Sequence, residues 1–266
     1  MSDVRITGAT RLYAILGDPI AQVKSPTLFT ERFARAGMNA VMVPMHVLPD
    51  RFDAAMASLM GLGNVDGLVV TVPYKGRAAA FATRLGKTAS AIGAVNALRR
   101  ERDGSWTGDM FDGVGFVRGA ERKGLVLSGR KVAMFGAGGA GSAIGCELLA
   151  AGAASLAIVD PARDRANALA ERLARAYPGV SIEAAAAVPS DADMIVNAST
   201  IGMKDGDGLP SDLGALDRGT LVGDVINADA PSPMIRHAMR HGCPYVTGRE
   251  MFEGQADALM AFFGRH

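Results

Sequence analysis

Residues 131–160 read KVAMFGAGGAGSAIGCELLAAGAASLAIVD. An apolar run at 131–135 has the composition of a buried strand, and a second run at 155–159 ends on Asp160. Between them Gly136, Gly138 and Gly141 fall in G-x-G-x-x-G spacing, and the alanine-rich stretch 142–151 follows as a helix without a capping residue. Strand, glycine turn, helix, strand, acid is the order of a dinucleotide-binding βαβ unit. Gly136 permits the tight turn, Gly138 lets a pyrophosphate approach the backbone, and Gly141 lets the helix pack closely on the sheet. The loop of Gly136, Ala137, Gly138, Gly139, Ala140 and Gly141 then turns backbone N–H groups and the positive end of a helix toward the phosphates. Asp160 stands where a carboxylate accepts from both ribose hydroxyls. The glycines alone suit a ligand-free turn equally well; the flanking strands and the terminal acid favour the dinucleotide.

A chain of 266 residues makes one large or two modest domains, and 49% hydrophobic content supplies their cores. The net charge is +1 with no basic block, so composition points to neither nucleic acid nor an anionic membrane. Small acidic substrates need only one or two local cations and stay open. No apolar run approaches the ~20 residues of a membrane span. The opening MSDVRITGATRLYAILG has no charged segment leading into a long apolar one, so no secretory signal is expected. Cys146 and Cys243 are far apart and match no C-x-x-C pattern, which suits a reducing, cytoplasmic setting. A monomer or homodimer is expected.

The first ~110 residues alternate apolar strands with helical stretches. Strands are predicted at 12–16, 40–46 and 67–72, helices at 27–36, 49–62 and 78–85, and a hairpin-like pair at 94–99 and 105–108. In the second helix Phe52, Met56, Leu59 and Met60 share a face. A linking helix at 114–123 leads to the nucleotide unit. Beyond Asp160 come a helix at 162–176, strands near Ile182, at 194–197 and at 221–224, and a final helix at 251–263. Repeated βα units imply an α/β fold with parallel sheets. The expected division is a substrate domain, residues 1–112 with 238–266, and a doubly wound Rossmann-type domain, residues 113–237. The ligand crevice is expected between them, at the carboxyl ends of strands.

A nicotinamide-dependent reaction needs a group that moves a proton as hydride moves. The histidines are His46, His237, His241 and His266, and none lies in a glycine- or proline-framed loop. His237 and His241 have metal-ligand spacing, but no nearby acid or cysteine completes a set, and they read as a partly solvated helix face. Lys75 is the better candidate, because it follows an apolar strand closed by Pro73. An ordinary loop lysine fits that position equally well. Asp112 is a second candidate, and it also fits as the N-cap of the helix that follows.

Taken together the loops resemble the shikimate dehydrogenase family, which includes quinate/shikimate dehydrogenases. The N-terminal run YAILGDPI with Lys24-Ser25-Pro26, the run VTVPYK ending on Lys75, and AIGAVN ending on Asn96 look like three of its motifs. Gly108-Asp109 with Asp112-Gly113, the run NASTIGM from Asn197 to Met203, and Gly248, Met251 and Gln255 look like three more. The resemblance covers nearly the whole chain. It implies that Lys75 and Asp112 are the catalytic pair and that Ser25, Thr71, Asn96 and Gln255 bind the hydroxyls and carboxylate of a cyclic hydroxy acid. It also implies that Ser199, Thr200, Met203, Gly248 and Met251 lie on the cofactor side. The activity implied is NAD(P)-dependent, reversible oxidation of shikimate or a close relative to the 3-dehydro ketone.

Three changes depart from the family pattern. Val23 stands where the substrate loop usually has a serine, Met110-Phe111 stands where Asn-Thr is usual, and Asn227 stands where a tyrosine is common. These changes suggest a divergent subfamily acting on shikimate, quinate or an aminated analogue, or a catalytically weak NAD-binding sensor. After the second nucleotide strand, Asp160-Pro161-Ala162-Arg163 replaces the Asn-Arg-Thr of NADP-preferring members. A carboxylate there repels a 2′-phosphate and bonds a free hydroxyl, which favours NAD. Arg163 and Arg165 keep NADP open.

Overall fold

The computed structural model describes residues 5–204 and 206–264. The chain divides into two units, Met1–Met110 with Ala256–His266, and Phe111–Gln255.

The first unit runs β1 (Arg11–Gly17), α1 (Ser25–Arg35), β2 (Ala40–His46), α2 (Phe52–Gly61), β3 (Val65–Val70), α3 (Lys75–Ala78), β4 (Arg84–Leu85), α4 (Lys87–Ile92), β5 (Ala97–Arg100) and β6 (Trp106–Asp109). Its sheet order is β2-β1-β3-β5-β6-β4. β1 pairs in parallel with β2 and β3, whereas β5 runs antiparallel to β3 and β6. The sheet is therefore mixed, with the expected hairpin as its antiparallel part. β1 is buried from Tyr13 to Gly17, as a strand covered on both faces must be. Phe52 and Met56 of α2 join Leu16, Leu68 and Leu98 in the core, while Leu59 and Met60 pack at its margin. The outer strand β2 is closed to further pairing: Pro44 has no donor, and the Thr30 hydroxyl takes the Met42 N–H at 3.0 Å.

The predicted helix at 78–85 is not formed as such. α3 and a 3-10 turn, Ala79–Phe81, occupy its first half, and Arg84 and Leu85 pair with Thr107 and Gly108 instead. Sheet pairing across 23 residues leaves no local pattern to read. The short helix α4, ended by Gly93 in the left-handed region (φ 69°), also escapes a periodicity argument.

The second unit runs α5 (Asp112–Arg122), β7 (Lys131–Phe135), α6 (Gly139–Ala150), β8 (Ser155–Val159), α7 (Arg163–Ala176), β9 (Ser181–Ala184), β10 (Met194–Asn197), β11 (Leu221–Asp224), α8 (Pro233–His241), β12 (Tyr245–Val246) and α9 (Gly248–Phe263), whose last turns belong to the first unit. Its sheet is parallel throughout, in the order β12-β11-β10-β7-β8-β9. The chain order reverses direction at β7, so the carboxyl end of β7 is the topological switch point, where this architecture binds ligands. β12 was not foreseen; it pairs with β11, so residues near 245 group with this unit.

Both cysteines are buried and unbridged. Among the described residues no helix is long and apolar enough to cross a membrane, and no His/Cys/Asp/Glu group could hold a metal. His237 is buried, at 6% exposure, rather than on a partly solvated face. Its Nδ1 lies 3.3 Å from the Arg240 guanidinium, and its ring centroid lies 4.4 Å from that of His241. Burial first, then His241, lowers its pKa below 6.5. The unfolded chain therefore takes this proton first: stability is full above pH 6.5 and falls as pH drops through the lowered folded value. Urea unfolding from about pH 7.5 to about pH 5.5 is expected to show a smaller loss for His237→Leu than for the wild type; equal losses would contradict this account.

Candidate functional site

In the first unit the expected residues collect at one end of the sheet. Val23 and Ser25 follow β1, and Thr71 and Lys75 follow β3. Because β5 runs antiparallel to β3, Ala97 sits beside Val69, and Asn96 joins the same end. Thr71 N–H donates to the Leu16 carbonyl at 2.9 Å. A Cβ on Gly17 would lie 2.4 Å from Thr71 Cγ2, so a side chain here would push on Thr71.

Lys75 opens a helical turn rather than lying in a loop. Its carbonyl accepts the Val95 N–H at 2.9 Å, which ties the turn before Asn96 to the lysine backbone. The preceding Tyr74 is buried, stacks on Phe52 with centroids 4.2 Å apart, and donates its hydroxyl to the Val47 carbonyl. The main chain under Lys75 is thus anchored on both sides, while its side chain is half-buried. Asn96, 1% exposed, gives its carbonyl to Val70 N–H at 2.8 Å and its N–H to the Asp109 carbonyl at 3.1 Å. Ser25 is buried as the first residue of α1, and Val23 is half-buried, its N–H donating to Ile20. Sequence reading set His46 aside, yet it ends β2 at this same edge, and its Nε2 meets Asp18 Oδ1 at 2.8 Å. A pairing across 28 residues has no motif to announce it.

In the second unit Asp112 is the first residue of α5, and Phe111, not Asp112, is the N-cap. The Asp112 carboxylate is buried, and Gln255 Nε2 donates to its Oδ1 at 2.6 Å. Close helix approach makes this contact possible. A Cβ on Gly115 would lie 2.5 Å from the Met251 carbonyl oxygen, and one on Gly113 would lie 2.2 Å from the Ala143 carbonyl oxygen. Met110 is buried, at 1% exposure, and Phe111 is half-buried. Asp109 receives Ala89 N–H at 3.0 Å and so supports α4.

The glycine loop separates into two kinds of position. Gly136 has φ +97°, and a Cβ on Gly141 would lie 1.9 Å from the Gly136 carbonyl oxygen, so both are required by the fold. Gly138 is exposed, has an ordinary backbone conformation, and has nothing within 4 Å of an added Cβ. No packing around it requires glycine there. α6 begins at Gly139, with Ala140 and Gly141 in its first turn and no side chain capping it. These residues fit the phosphates of a dinucleotide.

Asp160 differs from its sequence reading. Its side chain is 1% exposed and turned inward. Oδ2 accepts Ala137 N–H at 2.8 Å, Oδ1 accepts Ala162 N–H at 2.8 Å, and Arg165 forms a two-pronged pair with both oxygens. Burial opposes the charge, but Arg165 and the two backbone donors outweigh it and lower the pKa. The group presented to solvent at the end of β8 is therefore the Arg165 guanidinium, 57% exposed. Arg163 turns away to donate to the Ala184 carbonyl at 3.1 Å.

Ser199 donates its hydroxyl to Asn197 Oδ1 at 2.7 Å, while Thr200 and Met203 are exposed at the tip of that loop. Gly248 has a packing reason of its own, since an added Cβ would lie 2.5 Å from the Ile226 carbonyl oxygen. Met251 is nearly buried, at 9% exposure.

Residues 15–98 match the profile of the shikimate dehydrogenase substrate binding domain. A shikimate dehydrogenase (NADP+) of Rubrobacter xylanophilus is 37% identical over 94% of this chain and 89% of its own length. The chain belongs to the shikimate dehydrogenase family. Among solved members, shikimate 5-dehydrogenase from Listeria monocytogenes, in complex with shikimate and NAD, superposes with a TM-score of 0.84 at 25% identity, covering 98% of this chain and 94% of that one. Quinate dehydrogenase from Corynebacterium glutamicum, in complex with NAD, gives a TM-score of 0.85 at 26% identity, covering 96% and 94%. In this glycine loop the first and third glycines carry the fold. Gly138→Ala is expected to stay within about 0.5 kcal/mol of wild type in urea unfolding, whereas Gly141→Ala costs roughly 1–3 kcal/mol. The opposite order would contradict the assignment.

Proposed function

We propose that this protein is an NAD(P)-dependent oxidoreductase that reversibly oxidises shikimate, or a close cyclic hydroxy acid, to the 3-dehydro ketone. The observation that carries the reading is kinship along almost the entire chain with a shikimate dehydrogenase (NADP+), 37% identical over 94% of this chain. The stretches around Lys75, Asn96, Asp112 and Gln255 support it, because they resemble motifs of that family.

In this reading Lys75 Nζ takes the proton of the reacting hydroxyl during oxidation and returns it during reduction. Asp112, its carboxylate fixed by the Gln255 amide, holds lysine and hydroxyl in register. Ser25, Thr71, Asn96 and Gln255 bind the ring hydroxyls and the carboxylate, and Val23 adds an apolar wall. NAD(P), held by the loop 136–141 with Ser199, Thr200 and Met203 alongside, supplies the hydride acceptor or donor. Replacing Lys75 with Ala, or Asp112 with Asn, is expected to lower kcat by roughly a hundredfold to ten-thousandfold with folding retained. Full activity in both variants would overturn the mechanism.

The cofactor preference shifts with the geometry of Asp160. An inward carboxylate already accepting three partners neither repels a 2′-phosphate nor competes well for a ribose hydroxyl. The exposed Arg165 guanidinium suits a phosphate. The protein then accepts both dinucleotides, with NADP favoured through Arg165. Arg165→Ala is expected to raise KM for NADP about tenfold or more, the worth of one charge-assisted hydrogen bond, with little change for NAD. An equal rise for both would remove Arg165 from the choice.

Val23 favours a second substrate reading. It offers no hydrogen bond to a carboxylate, so quinate or an amino analogue is the alternative, and a quinate dehydrogenase is among the solved relatives. A rate screen of shikimate, quinate and amino analogues, each with NAD and NADP, decides among them. A cytoplasmic location and a monomeric or dimeric state belong to the same proposal; the buried, unbridged cysteines support the first.

A further inference from the structure

Asp224 is a fully buried carboxylate with no task in the proposed reaction. It ends β11 in register with Asn197 at the end of β10, and Asn197 is in register with Phe135, the residue before the glycine loop. The carboxylate therefore belongs to the row of strand ends beside the switch point. Its Oδ1 accepts Ile226 N–H at 3.0 Å and Asn197 Nδ2–H at 3.2 Å, and its Oδ2 accepts the Ser232 hydroxyl at 2.5 Å. Three donors converge on it, and its two oxygens have lone pairs enough for all three.

Asn197 ends β10, Ile226 lies at the start of the connection after β11, and Ser232 lies at its end, before α8. Asn197 passes the connection on: its amide also donates to the Ile201 carbonyl at 2.9 Å, and its Oδ1 accepts Ser199 N–H and the Ser199 hydroxyl at 3.2 and 2.7 Å. Ser232 in turn accepts Ile235 N–H at 3.2 Å and caps α8. Gly248 packs against the backbone of Val225 and Ile226. One buried carboxyl group thus gathers the end of β10, the start of the loop after β11 and the head of α8. Burial raises the pKa of Asp224, and the three donors oppose that rise. A buried carboxyl group held by three directed hydrogen bonds specifies one arrangement of its partners.

We infer that Asp224 is a positioning residue for the dinucleotide, acting through Asn197 and Ser232 to hold the segments 198–203 and 225–232 where the cofactor meets them. The inference rests on the reading that the loop 136–141 holds NAD(P).

The test is fluorescence titration of wild type and Asp224→Asn with NADH and NADPH, well below the melting temperature of each. Asparagine keeps the shape but turns a donor toward one of the three donors. Affinity is expected to fall roughly tenfold while kcat at saturating cofactor stays within about twofold. Amide exchange is expected to quicken at 199–203 and 225–227. A purely structural role lowers the melting temperature and leaves affinity unchanged, and unchanged affinity overturns the inference alone. If the wild type binds neither dinucleotide, the functional reading fails and takes the inference with it. Should Asp224→Asn not fold, Ser232→Ala removes the shortest of the three hydrogen bonds and is read by the same criteria.

Discussion

Helix α5 lies closer to its neighbours than any side chain permits, and much of the second unit depends on that proximity. Gly113 meets the backbone of α6, and Gly115 meets the backbone of α9, at distances where a Cβ would clash. Contact at this range brings Gln255 within hydrogen-bonding reach of Asp112, although 143 residues separate them. The carboxylate at the head of α5 is consequently buried and oriented, not merely present. A buried carboxyl group with a fixed partner loses little order when a ligand arrives, which suits the positioning role proposed for Asp112.

The remaining site residues depend on where strands end. In the parallel sheet the glycine loop, Asn197 and Asp224 leave from adjacent strands at one edge, because β7, β10 and β11 run in the same direction in register. In the mixed sheet the same result comes by another route. Thr71 and Lys75 leave β3 at its carboxyl end, and Asn96 enters β5 beside them because β5 runs the other way. Side chains widely spaced in sequence thereby share one rim in each unit, on backbone already fixed by ladder bonds and by anchors such as Tyr74.

Much of this was legible in the chain. The βαβ order around residues 131–160, the buried face of α2 and the candidates Lys75 and Asp112 follow from periodicity, glycine spacing and the position of loops after apolar strands. Other parts were not. β4 and β12 are two-residue strands whose only reason to exist is a partner elsewhere in the chain. The Asp18–His46 pair and the environment of His237 depend on burial and on neighbours brought in by folding. The carboxylate network at Asp224 has its components in three separate segments, each unremarkable by itself.

Asp160 marks the boundary between the two sources of information. Sequence alone determined that a dinucleotide-type unit is present and that a carboxylate ends its second strand, because local spacing and hydrophobic pattern suffice for both. Tertiary structure alone decided what that carboxylate does. Folding brings Ala137 N–H, Ala162 N–H and the Arg165 guanidinium onto it, so the acid faces inward and the exposed charge is positive. The sign of a site's field is set by which partner of an ion pair reaches solvent, and that is a property of packing rather than of composition.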